Sequence, residues 1–325
     1  TIMTALLSRN ADNLFWLARY VERVENMARI LDVTESFSRD THNRGRGSNW
    51  MSVVQINADE EAFTALHPVA DGPRVVDFYM LDASNSTSIP ASLQAARENA
   101  RTLRALISVE LWQQINMFNA WVGNLRHEDV ALPKLSRLCQ QIREACQAHT
   151  GIVEGTFFRD QAWYFYSMGR VLERADQTTR LLDIKYHTLL PRVEDVGSAL
   201  DVSQWNALLR AAAGYHGFRR ISAGKVTPEA VVGFLLFNDS HPRSVSLCIR
   251  QLEWYVTQVR TRYGLKGCSA ALEALDELRA MFDEVTAAEV LERGLHEFVD
   301  CVQQQLVRIT SELTASYMSV GQPAA

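Results

Sequence analysis

Apolar residues recur at intervals of three and four along most of this chain. In the segment that begins near residue 10, one helical face collects Leu14, Leu17, Val21, Val24, Ala28 and Leu31. The same spacing runs from Leu135 to Cys146 and from Val245 to Val259. Such spacing is typical of amphipathic α-helices, and the strict alternation of half-buried strands is scarce. The pattern therefore predicts an all-α protein, folded as a helical bundle.

Capping and turn residues indicate where these helices begin and end. Thr227, Pro228 and Glu229 combine an N-cap hydroxyl, a proline at the first helical position and a carboxylate near the positive end of the helix dipole. Gly264 is expected to end the helix that contains Val259. Further breaks are expected at 40–49, 70–74, 191–197, 222–227 and 264–269.

Two segments of the chain align with each other without gaps. Leu17–Asp32 matches Met168–Asp183 with six identities in sixteen positions. The identical pairs are Arg19/Arg170, Glu22/Glu173, Arg23/Arg174, Arg29/Arg180, Leu31/Leu182 and Asp32/Asp183. A repeat of this kind indicates an internal duplication. We name these segments the signature helices, because each carries an adjacent Glu-Arg pair.

A second pair of matching segments supports the duplication. The pattern of Phe, Ser and Ser followed by Ile or Val at 78–89 recurs at 234–245, at an offset of 156 residues against 151 for the signature helices. We therefore predict two halves, about 3–149 and 150–316, related by a pseudo-twofold axis. No linker is long enough to require two domains, so we expect one domain over 3–316 and a flexible tail from 317 to 325.

The polar residues shared by the signature helices form one stripe on each. At about 100° per residue, the stripes contain Arg19, Glu22, Asn26 and Arg29, and Arg170, Glu173, Gln177 and Arg180. Both stripes point away from the apolar face. Three interpretations stay open: an ion-pair network, a ligand-binding or catalytic site, or a solvated face held by pairs such as Glu25 to Arg29. Identity between two diverged copies favours a contact surface over solvent.

The candidate catalytic residues are the two Glu-Arg pairs, Glu22 with Arg23 and Glu173 with Arg174. A carboxylate can transfer protons while a guanidinium group binds an anion. We predict that each glutamate lies within hydrogen-bond distance of an arginine, across the two helices. If the network is buried, removal of one partner should cost several kcal/mol, because an unpaired buried charge is worse than no pair.

The segment Asn238–Ser244 is predicted to start a helix. It offers several capping side chains and an adjacent arginine, and helix starts of this kind bind phosphate or carboxylate groups. Ser240 and Arg243 therefore join the two stripes as ligand-binding candidates, although simple capping is the favoured interpretation.

Common motifs for metals and nucleotides are missing from the sequence. No histidine has a glutamate three residues before it, and no P-loop, Gly-x-Gly-x-x-Gly or His-Glu-x-x-His occurs. We therefore predict neither a metal nor a cofactor. The aromatic runs Phe15-Trp16 and Trp163–Tyr166 are assigned to the core, and Asp59–Glu61 to the acidic first turn of a helix.

Charge and cysteine content narrow the class of protein. A net charge of −5 argues against a nucleic-acid-binding protein, which would carry a basic surface. No apolar run approaches the roughly 18–20 residues of a membrane helix. Five cysteines without a Cys-x-x-Cys pair favour reduced thiols. We expect a cytoplasmic protein that binds neither nucleic acid nor membrane.

The opening of the chain, Leu7–Asn26, resembles that of the Alpha-E family, bacterial helical proteins named for a Glu-Arg motif. Leu172–Asp176, Arg97–Arg101 and Phe237–Val245 are also similar to that family, so the resemblance covers essentially the whole chain. Proteins of the family are typically encoded beside an ATP-grasp-type carboxylate–amine ligase and a transglutaminase-like protease. The resemblance thus implies a setting of peptide or amide-bond synthesis and trimming.

Two classes of function follow from these observations. One is an accessory protein that presents a peptide or carboxylate substrate to the ATP-grasp-type ligase and the transglutaminase-like protein. The alternative is a stand-alone enzyme that uses the paired Glu-Arg helices as an acid/base and anion-binding site on a peptide-like substrate. The sequence supplies no nucleophile with an adjacent base.

Overall fold

The computed structural model describes residues 6, 8–42, 50–188, 197–223 and 225–318, and it contains helices without strands in these ranges. The helices are α1 (Ser8–His42), α2 (Met51–Ile56), α3 (Glu60–Leu66), α4 (Gly72–Met80), α5 (Ile89–Thr102), α6 (Val109–Gly123), α7 (Leu132–Thr156), α8 (Gln161–Thr188), α9 (Ala199–Ala211), α10 (Tyr215–Ile221), α11 (Pro228–Val232), the π-helical turn Gly233–Phe237, α12 (Val245–Tyr263), α13 (Ser269–Asp283), α14 (Ala287–Arg293) and α15 (Leu295–Tyr317). The predicted all-α class is confirmed.

The helix starts follow the capping residues of the sequence. Ser88 and Ser244, which match in the predicted repeat, are the N-caps of α5 and α12, and each hydroxyl accepts a hydrogen bond from a first-turn amide. Thr227 caps α11 in the same way. At the other end of α12, Gly264 adopts φ 67°, a left-handed conformation that glycine reaches without strain.

The signature helices, α1 and α8, lie side by side at the centre of the fold. Hydrogen bonds join Leu6 to Gln161, Arg19 to Glu173 and Asn26 to Gln177. Residue numbers rise together along these contacts, so the two helices are parallel. Long helices then surround the pair: α5 and α7 pack on α1, and α12 and α15 pack on α8.

A glycine allows α1 and α8 to approach closely. A Cβ atom added at Gly169 would lie only 2.1 Å from the carbonyl oxygen of Phe15. Any side chain at residue 169 would therefore push the helices apart. The close approach brings the polar stripes of both helices into one shared interface.

The contacts of the second half repeat those of the first. α5 packs on α6 and α6 on α7, and in the same order α12 packs on α13 and α13 on α15. The pseudo-twofold relation of the complete halves stays a prediction. Their predicted boundary at 149/150 falls inside α7, which continues to Thr156, so the second signature unit starts at α8.

Most predicted breaks and core segments agree with the structure where it describes them. Helices are interrupted at 222–227 and 264–268 as predicted, whereas the break predicted at 70–74 lies earlier, at 67–71, because α4 starts at Gly72. α1 continues to His42 before the described residues stop. Residues 191–196 and 319–325 lie outside the described ranges. Trp163–Tyr166 is buried, and Glu60 and Glu61 form the first turn of α3.

The C-terminal boundary needs a small correction. Tyr317 belongs to α15, and Tyr317 and Met318 are buried. The packed chain thus extends past the predicted start of the tail at residue 317. Among the described helices, none has the length and apolar character needed to cross a membrane.

Candidate functional site between helices α1 and α8

Six of the eight residues in the polar stripes of α1 and α8 are buried. Glu173 has no exposed surface, and Glu22, Asn26 and Arg29 are each under 5% exposed. The interpretation as a solvated face is therefore wrong for these residues. The face opposite the apolar stripe is also covered, because α1 and α8 are central helices that touch neighbours on several sides.

Glu173 of α8 is held by arginines from α1. Its two carboxylate oxygens accept hydrogen bonds from the Nε atoms of Arg19 and Arg23, both at 2.6 Å. Gln177, one turn along α8, donates a third bond at 2.8 Å. Charge-assisted bonds of this length are among the strong ones in proteins. The predicted pairing across the helices is confirmed for Glu173.

Glu22 and Glu25 of α1 form the matching cluster. Arg174 of α8 binds Glu22, and Arg243, from the loop before α12, lies 3.5 Å from Glu22 and 2.6 Å from Glu25. Arg29 adds a further pair with Glu25 at 2.5 Å. The predicted pairing of Glu22 with an arginine of the other signature helix is confirmed as well.

The bonds between the signature helices are reciprocal. Arg23 of α1 binds Glu173 of α8, and its repeat equivalent Arg174 binds Glu22, the equivalent of Glu173. At the next level the equivalent amides of Asn26 and Gln177 bond to each other. These bonds run in both directions between the helices, whereas the bond from Arg19 to Glu173 has no counterpart, because Arg170 binds Glu154.

Arg29 and Arg180 explain why this arginine is repeated. Each pairs with the carboxylate one turn earlier on its own helix, Glu25 or Asp176. Each also donates from Nη1 to the last carbonyl of a short helix, Ala211 of α9 or Ile56 of α2. A cation at a helix C-terminus satisfies a free carbonyl and stabilises the negative end of the dipole.

The repeated aspartates pair with the last long helix of each half. Arg143 of α7 donates to Asp32 at 2.8 Å, and His296 of α15 lies 2.9 Å from Asp183. The hydrogen bond with Asp183 raises the pKa of His296. The two pairs occupy matching places, but only the second contains a cation that titrates near neutral pH.

Electrostatic interactions keep the carboxylates of Glu173 and Glu25 in their charged form. Burial alone would raise the pKa of Glu173, but the charges and hydrogen bonds of Arg23 and Arg19 outweigh it and lower the pKa to about 2. Burial likewise opposes the effect of Arg243 and Arg29 on Glu25, whose pKa falls to about 2. A general acid or base works best with a pKa near the operating pH. These two carboxylates are therefore suited to holding charges, not to exchanging protons.

A cleft opens at one edge of this interface. It has a volume of about 140 Å³ and is lined by Arg23, Met27, Asn57, Thr87, Glu173, Asp176, Gln177 and Arg180. Most of its polar side chains belong to the network. Arg23 and Arg180 keep 29% and 23% of their side-chain surface exposed, so the cleft connects the buried charges with solvent.

Three predicted site residues lie apart from this arrangement or play another part. Arg170 binds Glu154 of α7 at 2.6 Å instead of joining the cross-helix pairs. Ser240 is exposed in the loop before α12, where its hydroxyl contacts Asp239. Arg243 is buried against Glu22 and Glu25, so its guanidinium group is not free to bind an anion at the start of α12.

Sequence reasoning missed several residues that complete the network. The sequence indicates Glu25 only as a solvated partner of Arg29 and gives no direct sign of Asp176, although the Glu/Asp match between the copies is a signal for both. Thr87 and Asn57 lie in loops, and no periodic pattern connects them with the signature helices. Within the described ranges, no cluster of three or more His, Cys, Asp or Glu side chains could hold a metal ion.

Comparison with known proteins places the chain among uncharacterised bacterial relatives. Uncharacterized proteins of Mycobacterium bovis and of Mycobacterium tuberculosis strain CDC 1551 are each 24% identical over 340 residues. That match covers 96% of this chain but 37% of each relative, so the chain spans little more than a third of their length. No solved structure was found to match.

The family comparison covers nearly all the residues described above. The sequence model of Alpha-E, "a predicted alpha-helical domain with a conserved ER motif", matches residues 6–318. This span runs from the start of α1 to the end of α15 and includes both Glu-Arg pairs. The chain belongs to the Alpha-E family.

Proposed function

We propose that this protein is the accessory, substrate-presenting member of a system with an ATP-grasp-type amide ligase and a transglutaminase-like protease. One observation carries the proposal: the signature glutamate Glu173 is buried and held charged by two arginines, with a pKa of about 2. A residue in that state contributes little to proton transfer near neutral pH. It serves instead as a rigid support for the groups around it.

The network orients two arginines that line the cleft. Arg23 and Arg180 are oriented by the network, and both reach the cleft with part of their surface exposed. Arginine is suited to carboxylate recognition because its planar fork can make two parallel hydrogen bonds. A protein that holds a peptide or carboxylate substrate for a ligase needs this kind of preorganised binding group.

The length of the relatives also favours an accessory role. In the mycobacterial proteins the matched segment covers 37% of the chain, so a domain of this kind is covalently joined to further polypeptide. Covalent linkage raises the effective concentration of one module beside another. We propose that this chain acts in the cytoplasm, where ATP is supplied, and that it contacts its partners through a surface distinct from the cleft.

Exposed apolar side chains are candidates for that surface. Phe158 is 78% exposed after α7, and Trp254 is 50% exposed on α12. Arg159, next to Phe158 in the sequence, stacks over Trp163 with its guanidinium carbon 4.7 Å from the ring centroid, and Trp254 contacts Tyr164. Aromatic residues and arginine are enriched in protein–protein interfaces, and a stable interface buries at least about 1,000 Å².

We also infer a pseudo-twofold relation between the halves. The reciprocal pairs of Arg23 with Glu173 and Arg174 with Glu22 support it, as does the repeated order of helix contacts. Superposing residues 10–35 on 161–186 should carry α5 onto α12 and α7 onto α15. If the signature helices superpose while these neighbours do not, the inference is wrong.

The functional test combines the purified protein with the ligase encoded beside it. We expect a stable complex, and an increase in peptide-dependent ATP consumption over the ligase alone. A double variant, Phe158→Ser with Trp254→Ser, removes the exposed aromatic side chains. It should weaken association with the ligase without unfolding the bundle. No association and no change in ligase rate or product across a panel of peptides would refute the proposal. Turnover of a peptide by the isolated protein would favour the stand-alone enzyme.

A further inference from the structure

The two copies of the network differ at one loop residue. The residue before the N-cap serine is Thr87 in the first half and Arg243 in the second, 156 residues apart like the capping serines themselves. We name Glu22, Glu25, Arg29, Arg174 and Arg243 the filled copy. We name Glu173, Asp176, Arg180, Arg23 and Thr87 the open copy.

In the filled copy the loop arginine occupies the interior. The guanidinium group of Arg243 is inserted between Glu22 and Glu25, and its side chain is 11% exposed. In the open copy the shorter Thr87 lines the cleft of about 140 Å³. Its hydroxyl lies 2.7 Å from Asp59 and 2.7 Å from Asn85, so the side chain is held back against its own loop.

The open copy is not short of positive charge. Glu173 receives its second arginine from Arg19, which is not among the residues that line the cleft. Arg19, Arg23 and Arg180 face the carboxylates of Glu173 and Asp176, and a third carboxylate, Asp59, accepts a hydrogen bond from Thr87. The charges of the open copy therefore balance without an added cation, and the guanidinium groups of Arg23 and Arg180 are the groups at the cleft that can attract an anion.

Free hydrogen-bond donors point the same way. Among the described residues, Arg23 donates to protein only through Nε, so its two Nη groups are available at the cleft. Arg180 uses Nε and Nη1, which leaves Nη2. Both oxygens of Glu173 already accept bonds. The cleft thus offers N–H groups of Arg23 and Arg180, which bind carboxylate oxygens with good geometry. The carboxylate of Asp176 also lines the cleft, and it is paired with Arg180.

We propose that the open copy is a binding site for the carboxylate group of a substrate, a peptide terminus or an acidic side chain. The cleft is smaller than the roughly 300–1,000 Å³ of pockets that take whole drug-sized ligands, so it receives one functional group while the rest of the ligand extends outward. This inference deepens the proposed substrate-presenting role and rests on it for its biological meaning, but binding is measured without the ligase.

The test places an arginine at residue 87, so that the open copy has the same loop residue as the filled copy. Calorimetric titrations use a short peptide without acidic side chains, with a free or an amidated carboxyl terminus, and free glutamate against its diamide. We expect the free carboxylates to bind and the amides not to bind. Thr87→Arg should weaken binding at least about tenfold, even though its added charge alone would attract an anion. Thr87→Val loses the same hydroxyl without filling the space, and should bind within about twofold of the parent.

A second measurement uses the unaltered protein and avoids any folding defect. In protein labelled with 15N-arginine, the side-chain Nε–H resonances of Arg23 and Arg180 should shift on titration, while that of the exposed Arg293 should not. Equal affinity in a folded Thr87→Arg, equal binding of amides, or no shift at Arg23 and Arg180 would overturn the proposal. If carboxylates bind but the ligase is unaffected, the binding site is supported and the proposed function is refuted.

Discussion

The filled and open copies are built on nearly the same helical signature, yet their interiors differ. In the filled copy, Arg243 seals Glu22 and Glu25 from solvent, and in the open copy, Thr87 leaves a cleft beside Glu173. The helices therefore provide a stable charged frame, and a single loop position decides whether the frame is closed. In the proposed duplication these tasks are separate, because one copy is closed by its own arginine while the other keeps a cleft.

The largest expected effects come from the two signature glutamates. Glu173→Gln leaves Arg19 and Arg23 without their carboxylate, and Glu22→Gln leaves Arg174 without its own. Breaking a buried pair costs about 3–5 kcal/mol. Unfolding in urea should show both losses. Glu98→Gln is the control, because Glu98 is 45% exposed and pairs only with surface arginines, so its change should stay within about 1 kcal/mol. Midpoints that match the parent for either signature variant would contradict the network.

Acid should remove the stabilisation that the charged carboxylates of Glu25 and Glu173 provide, one in each copy. The folded pKa values of Glu25 and Glu173 lie near 2, below the ordinary value of 4.5. A lowered folded pKa means that the stabilisation is complete above about pH 4.5 and is lost as the pH falls toward 2. Urea midpoints measured from pH 6 to 2 should fall steeply in that window. The slope should be shallower in Glu173→Gln, and an unchanged slope would argue against the assignment.

A substitution that converts the filled copy into the open one should have an intermediate effect. Arg243→Thr removes one guanidinium group from Glu22 and Glu25, while Arg174 and Arg29 remain. We expect a loss near the lower end of the range for a broken buried pair, about 3 kcal/mol. Arg293→Thr, on the exposed side of α14, should change the free energy of unfolding by at most about 0.5 kcal/mol. Equal effects would mean that Arg243 does not seal the copy.

The smallest effect distinguishes the two aspartate pairs. The raised pKa of His296 stabilises the fold below its ordinary value of 6.5, and this contribution is lost as the pH rises through the folded pKa. Because His296 is 34% exposed, we expect at most about 1 kcal/mol. His296→Gln should flatten the stability profile between pH 6 and 8. Arg143→Gln, in the matching Asp32 pair, should lower the free energy of unfolding by an amount that does not change between pH 6 and 8.

The sequence was sufficient to predict the class of fold and the pairing of each signature glutamate with an arginine. Periodicity identified the helices, and identity between diverged copies indicated that Glu22 and Glu173 meet arginines. A helical wheel did not show that the polar stripe is buried, because it describes one helix and not its neighbours. The part of Thr87 and Arg243 depends on how a loop folds back over α8 and α1. No local sequence pattern predicts these contacts, because Thr87 is 86 residues from Glu173 and Arg243 is 221 residues from Glu22.

The parallel pairing of α1 with α8 also has a consequence for how the chain is made. Arg23 and Glu173 are 150 residues apart, so their bond closes a very long loop. At about 5–20 residues per second, α1 leaves the ribosome roughly 8–30 s before its partner. During that interval the carboxylates and arginines of α1 remain hydrated, since neither Glu22 nor Arg23 yet has its cross-helix partner. The interface is therefore a late step of folding, and a truncated chain that lacks α8 would carry unpaired charges where its core should be.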